Sequence, residues 1–168
     1  MSMQHKGQIV TTDFLAATVI ISLLLAFIFI SWNQTVNESR DVENRKEITI
    51  SAISLSDSLL KSKGDPDNWE SGGKINNTLG LVIDDHVLDP NKLKAFAMLN
   101  QTSLKNLLGI QNYNFYFKVS DRNKIVNVDN TKIETGSHPN QSSSIVINSQ
   151  RIALLNNMPV YLDFVVWR

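Results

Sequence analysis

Residues 14–30 read FLAATVIISLLLAFIFI, seventeen residues with no charge and only two hydroxyls, Thr18 and Ser22. Asp13 precedes the run directly and the next charge is Glu38, so residues 14–37 form an uncharged interval of 24 residues. At about 1.5 Å per helical residue that interval reaches roughly 36 Å, and the apolar run roughly 25 Å, against a hydrocarbon core of about 30 Å. A helix satisfies its own backbone groups and so can cross lipid as one segment. Trp32 stands just past the run, where an interfacial aromatic belongs. A buried core helix of this length would need a partner surface that the remaining sequence does not offer. The stretch therefore predicts a membrane-spanning helix over about residues 14–32.

The chain has 168 residues. About 130 of them follow the helix, enough for one small domain with a modest core. Lys plus Arg equals Asp plus Glu at 16 each, and setting aside Lys6 and Asp13 takes one from either side. A balanced domain has no electrostatic footprint for nucleic acid, and none is expected as a partner. Cysteine is absent, which excludes disulfides, thiolate metal sites and thiol nucleophiles. No P-loop, nucleophile elbow, zinc signature, dinucleotide fingerprint or internal repeat is present, so neither a cofactor nor an enzymatic activity is expected.

Upstream of the apolar run stands MSMQHKG, then Gln8 to Asp13. A secretory signal would place its apolar region soon after the charge and end at small residues. Here an acid abuts the run, and the far end, Ile30-Ser31-Trp32-Asn33, is a poor cleavage site. Lys6-Gly7-Gln8, followed by an acid and a long apolar helix, resembles an archaeal class III signal peptide of type IV pilin-like proteins. The resemblance covers roughly residues 6–30. It implies cleavage between Gly7 and Gln8 by a prepilin-type signal peptidase, export of everything beyond the helix, and assembly with like subunits or other pilins. It also implies an assembly role for Asp13. The family often places that acid at the fifth mature position, which here is Thr12, whereas Asp13 is the sixth. The charge asymmetry is weak, with Lys6 beside His5 on one side and Arg40, Arg45 and Lys46 on the other. The leader resemblance decides for an extracellular C-terminal domain.

The organisation so predicted is a leader over residues 1–7, a long helix over 8–62 and an exported α+β head over 63–168. Residues 31–47 are polar apart from Trp32, Val36 and Val42, and lack Gly and Pro, so the helix continues through them. Ile48, Ala52, Leu55 and Leu59, with Ile53 and Leu60 beside them, mark the face that packs against the head. Lys61, Lys63, Gly64 and Pro66 read as the helix end.

Residues 65–73, DPDNWESGG, read as a loop. An EF-hand would need an oxygen ligand where Trp69 stands and glycine where Glu70 stands. Asp84, Asp85 and His86 read as turn chemistry, since no second histidine cluster supports a metal. Asp89-Pro90 opens a helix, with a break near residues 100–103, and Gly109 ends it. Tyr113, Phe115, Phe117 and Val119 alternate along one strand face. A turn at residues 121–124, a weak strand over 125–128 and a polar loop over 135–144 follow. Strands are predicted over 145–147, 151–155 and 160–167, with Asp163 pointing to solvent. Helix, loop, helix and then antiparallel strands describe an α+β head. The Gly-Asp-Pro-Asp-Asn-Trp turn, the Leu-Leu-Gly helix end and the Leu-Leu-Asn-Asn-Met-Pro-Val hairpin also resemble heads of uncharacterised archaeal pilin-like proteins.

Five sequons occur, at Asn33, Asn37, Asn76, Asn100 and Asn140. Asn76, Asn100 and Asn140 are the candidate glycosylation acceptors, because each lies in a predicted loop or helix break. The reading that follows is a type IV pilin-like subunit. The alternative is a non-polymerising single-span membrane protein with an extracellular binding domain.

Overall fold

No Gly or Pro interrupts residues 8–62, and the first helix, α1, runs Gln4–Lys61. The computed structural model describes residues 4–72, 75, 78–122 and 124–168, with 4–11, 37–41 and 44 described by backbone alone. The chain divides into two compact units, one up to Asn44 and one spanning Arg45–Arg168. The second unit, the head, thus takes in the last turns of α1. Ile48, Ala52, Leu59 and Leu60 are buried there, Leu55 packs against the core, and Ile53 is exposed. Ser56 completes the buried stripe, and its hydroxyl shares a hydrogen bond of 2.8 Å with that of Ser149. Two small side chains, Ala52 and Ser56, let the helix lie close to the sheet beneath it.

The carbonyls at the end of a helix lack partners inside it. Here Leu81 N donates to Leu59 O at 2.9 Å and His86 N to Leu60 O at 3.1 Å. The intervening loop forms a 3-10 turn, Trp69–Ser71, and Trp69 is buried at 3% exposure, its Nε1 donating to Gly80 O at 2.9 Å. Residues read as a solvated loop therefore carry one of the core's largest side chains. The close approach dictates glycine at two places. Gly64 has φ +93 and faces the Trp69 ring, and a Cβ at Gly80 would overlap the Ser62 carbonyl.

Strands β1 (Val82–Asp84) and β2 (Val87–Leu88) form a hairpin around Asp85 and His86, with His86 at φ +58. Helix α2 (Pro90–Met98) is capped by Asp89 Oδ1, which accepts from Asn91 N at 2.8 Å. Helix α3 (Gln101–Leu107) is capped in the same way by Asn100 Oδ1 from Thr102 N, so the break falls at Leu99 and Asn100. Gly109 follows it at φ +70, where glycine has no steric penalty.

The sheet is completed by β3 (Asn114–Asp121), β4 (Lys124–Ile125), β7 (Glu134–Gly136), β8 (Val146–Leu155) and β9 (Met158–Trp167). Its order is β1-β2-β8-β9-β3-β4, with β7 also on β3. A separate two-stranded ribbon joins β5 (Asn127–Val128) to β6 (Thr131–Lys132). The head is α+β as predicted, although β2 pairs β8 in parallel and makes the sheet mixed. Phe115, Phe117 and Val119 are buried as their alternation required, and Tyr113 packs against the core.

Three expectations are corrected. The weak strand over 125–128 is split between β4 and β5. The loop expected from Thr135 begins later, because Glu134–Gly136 pairs with β3 behind a fully buried Ile133. The strands expected at 145–147 and 151–155 are one strand, β8, whose polar middle residues Ser149 and Gln150 have partners on opposite sides of the sheet. Asp163 also departs from expectation: it is 5% exposed, because Lys118 and Gln150 flank it in register on the neighbouring strands. Gln150 Nε2 donates to its Oδ1 at 2.8 Å and Lys118 Nζ lies 3.4 Å from its Oδ2.

On the inner face, Arg151 Nε donates to Asp57 Oδ1 at 2.8 Å, tying β8 to α1. That hydrogen bond holds the Asp57 carboxyl below its usual value of 3.8, against the opposing effect of burial. A lowered folded-state value means that the contribution is fully present above the usual value and is lost as pH falls through the lower one. Arg151→Leu should return Asp57 to the ordinary carboxylate range in an NMR titration. The accompanying loss of stability should be about 0.2–1 kcal/mol, since both side chains remain partly solvated.

Candidate functional site

Thr12–Val36, within α1, is long and apolar enough to cross a membrane, and is the one such helix among the described residues. Its side chains are exposed, Phe14 at 71% and Trp32 at 69%. Apolar residues surround the segment rather than forming one stripe, the pattern of a helix that needs an apolar environment on every side. Its hydroxyls are turned inward. Thr18 Oγ1 donates to Phe14 O and Ser22 Oγ to Thr18 O, both at 2.8 Å, and Thr35 Oγ1 donates to Ser31 O at 3.0 Å. A hydroxyl bonded to the carbonyl four residues back presents little bare polarity to lipid. The sequence could have yielded this, because each hydroxyl has a helical carbonyl available at that spacing.

Asp13 is exposed at the start of this segment and makes no ion pair among the described residues. Gly7 and Gln8 both lie within α1, which begins upstream of their junction at Gln4. The three residues implied by the leader resemblance are thus carried on one helix.

The acceptor asparagines are scattered over the head. Asn76 lies outside the described residues. Asn100 is exposed and uses its Oδ1 as the cap of α3. Asn140 is exposed, and its Oδ1 accepts from Ser142 Oγ and Ser143 Oγ at 2.9 Å each. In both cases the carbonyl oxygen makes these contacts, and the amide nitrogen donates no hydrogen bond among the described residues. The loop carrying Asn140 is held at its start, where His138 packs 3.9 Å from the Tyr116 ring and Trp167 Nε1 donates to Ser137 O at 3.2 Å. Burial, aided by Glu134 accepting its hydroxyl at 3.1 Å, pushes the Tyr116 phenol up to about 12.

Among the described residues no three acidic or histidine side chains gather as a metal site. His86 Nδ1 lies 2.8 Å from Asp85 Oδ1 on the exposed β1–β2 turn, a local contact between neighbours. No protein family, curated protein or solved structure matches the chain. The functional reading therefore stands on the helix and the head themselves. By length and composition the apolar segment is consistent with membrane anchoring.

Proposed function

We propose that the chain is a type IV pilin-like subunit, anchored by α1 and assembled into, or displayed with, a cell-surface filament, with its head outside. The observation that carries this is a single helix, uninterrupted from Gln4 to Lys61, that is apolar on all sides over Thr12–Val36 and supplies core residues to a head at Ile48–Leu60. Lys6-Gly7-Gln8, placed before the apolar segment, supports it. The function is structural rather than catalytic, and its partners are the bilayer, a prepilin-type signal peptidase and other pilin subunits.

The test is the intact mass and N-terminal residue of the protein taken from membranes and from sheared surface material. Mature protein should begin at Gln8, in open or cyclised form, and should be found in the sheared filaments. Replacing Gly7 with Ile should leave the precursor uncut. Recovery of intact Met1 or Ser2 from surface protein would remove the leader assignment. The second reading, a non-polymerising anchored protein with an extracellular binding domain, draws on the polar cluster around Asp163. It predicts a head displayed at the surface and missing from sheared filaments.

A further inference from the structure

The face of the sheet turned away from α1 is built in cross-strand rows. Lys118, Asp163 and Gln150 form one row, and Ser120, Tyr161 and Ile152 the next. Five of these, with Arg122 from the turn after β3, line a shallow depression of about 570 Å³. Asp163 at its floor is already engaged by Gln150 and Lys118, an arrangement a covered carboxylate requires. What is left over is positive. Arg122 is exposed and makes no ion pair among the described residues, and its φ of +51 belongs to the turn rather than to a contact. The Ser120 hydroxyl makes no hydrogen bond among the described residues, although the residue is buried. Tyr161 adds a ring that is 37% exposed in the same depression.

We propose that this depression binds an acidic saccharide, a pyranose bearing a carboxylate. A guanidinium presents paired donors that match a carboxylate. An aromatic face packs against the C–H surface of a sugar ring, as it does against other apolar groups. The Ser120 hydroxyl, the Gln150 amide oxygen and the remaining protons of Lys118 supply donors and an acceptor for ring hydroxyls. The engaged Asp163 holds Lys118 and Gln150 in place between strands. A single cation left unpaired in the depression favours one carboxylate over a polyanion. The site belongs to the head alone, so the filament reading and this one can fail separately.

Full-length protein in detergent micelles, titrated by calorimetry, tests the proposal. The probes are a tetrasaccharide containing glucuronic acid, a neutral tetrasaccharide of the same linkage, and inorganic phosphate at matched ionic strength. The acidic probe should bind saturably, and the neutral one at least about tenfold more weakly, as loss of a charge-assisted pair implies. Arg122→Asn keeps a residue suited to positive φ and should weaken the acidic probe by about tenfold or more. Tyr161→Leu should weaken both saccharides, with an unchanged thermal midpoint showing that the sheet is intact. Equal binding of acidic and neutral probes would overturn the proposal. So would phosphate displacing the saccharide at comparable concentration, an Arg122→Asn protein that binds as before, or no saturable binding of the acidic probe.

Discussion

Phe117→Ala should lower the stability of the head by about 3–5 kcal/mol, the range for removing a fully buried aromatic ring. Phe117 is 0% exposed and sits at the centre of β3. Its ring centroid lies 4.8 Å from that of Phe96 at 60°, so the same substitution also removes an aromatic contact between α2 and the sheet. The hole would be walled by helix on one side and hydrogen-bonded strand on the other, and neither can collapse into it. Domains of this size are stable by about 5–15 kcal/mol, and here no disulfide limits the unfolded chain. Urea unfolding of the solubilised chain, followed by tryptophan fluorescence, to which buried Trp69 contributes, measures the change. Phe115→Ala, which removes the ring stacked 6.0 Å from Phe164, should behave alike. Changes below about 1 kcal/mol at both positions would contradict a core built on this strand.

The largest functional effect is expected at Asp13. Under the pilin-like reading, Asp13→Asn should leave cleavage and membrane insertion intact while filaments disappear. A carboxylate at the start of a bilayer-spanning helix is unfavourable, by about 2.5–3.5 kcal/mol at the helix centre and less near the interface. A plain anchor gains nothing from it, and within this chain Asp13 has no ion-pair partner among the described residues. Cleavage after Gly7 would create an α-ammonium group at Gln8, and in a filament that charge on one subunit would face the carboxylate of a neighbour in a medium of low dielectric. Cyclisation of Gln8 would remove the ammonium, so the N-terminal residue and the filament count should be read on the same sample. Normal filaments from the variant would reduce Asp13 to an interfacial residue at a helix start.

The parts of this fold that could be read from the sequence are those whose causes are local. The apolar run, the i, i+4 face through Ile48 and Ala52, the Asp89 cap and the alternation through Phe115 and Phe117 each depend on residues a few positions apart. The parts that could not be read have causes far away along the chain. Ser149 looks like a strand breaker until Ser56, 93 residues distant, shares a hydrogen bond with it. Asp163 reads as a surface acid until β3 brings Lys118 alongside. Trp69 reads as part of a solvated loop, although its indole is fixed by the backbone of Gly80. The same division runs through the candidate residues. Gly7, Gln8 and Asp13 form a linear pattern in the sequence, whereas the depression around Asp163 exists only once three strands are paired.

The position of β9 also sets a timetable. It is the last strand in chain order, yet it lies between β8 and β3 in the middle of the sheet. A ribosome delivers β3 long before its full-length neighbour, and in the interval only the short β4 and β7 can pair with it. Closure across so many intervening residues is slow compared with forming a helix or a tight hairpin. A nascent chain that has not yet supplied Met158–Trp167 therefore keeps an aromatic strand with an open edge, vulnerable to pairing with other chains.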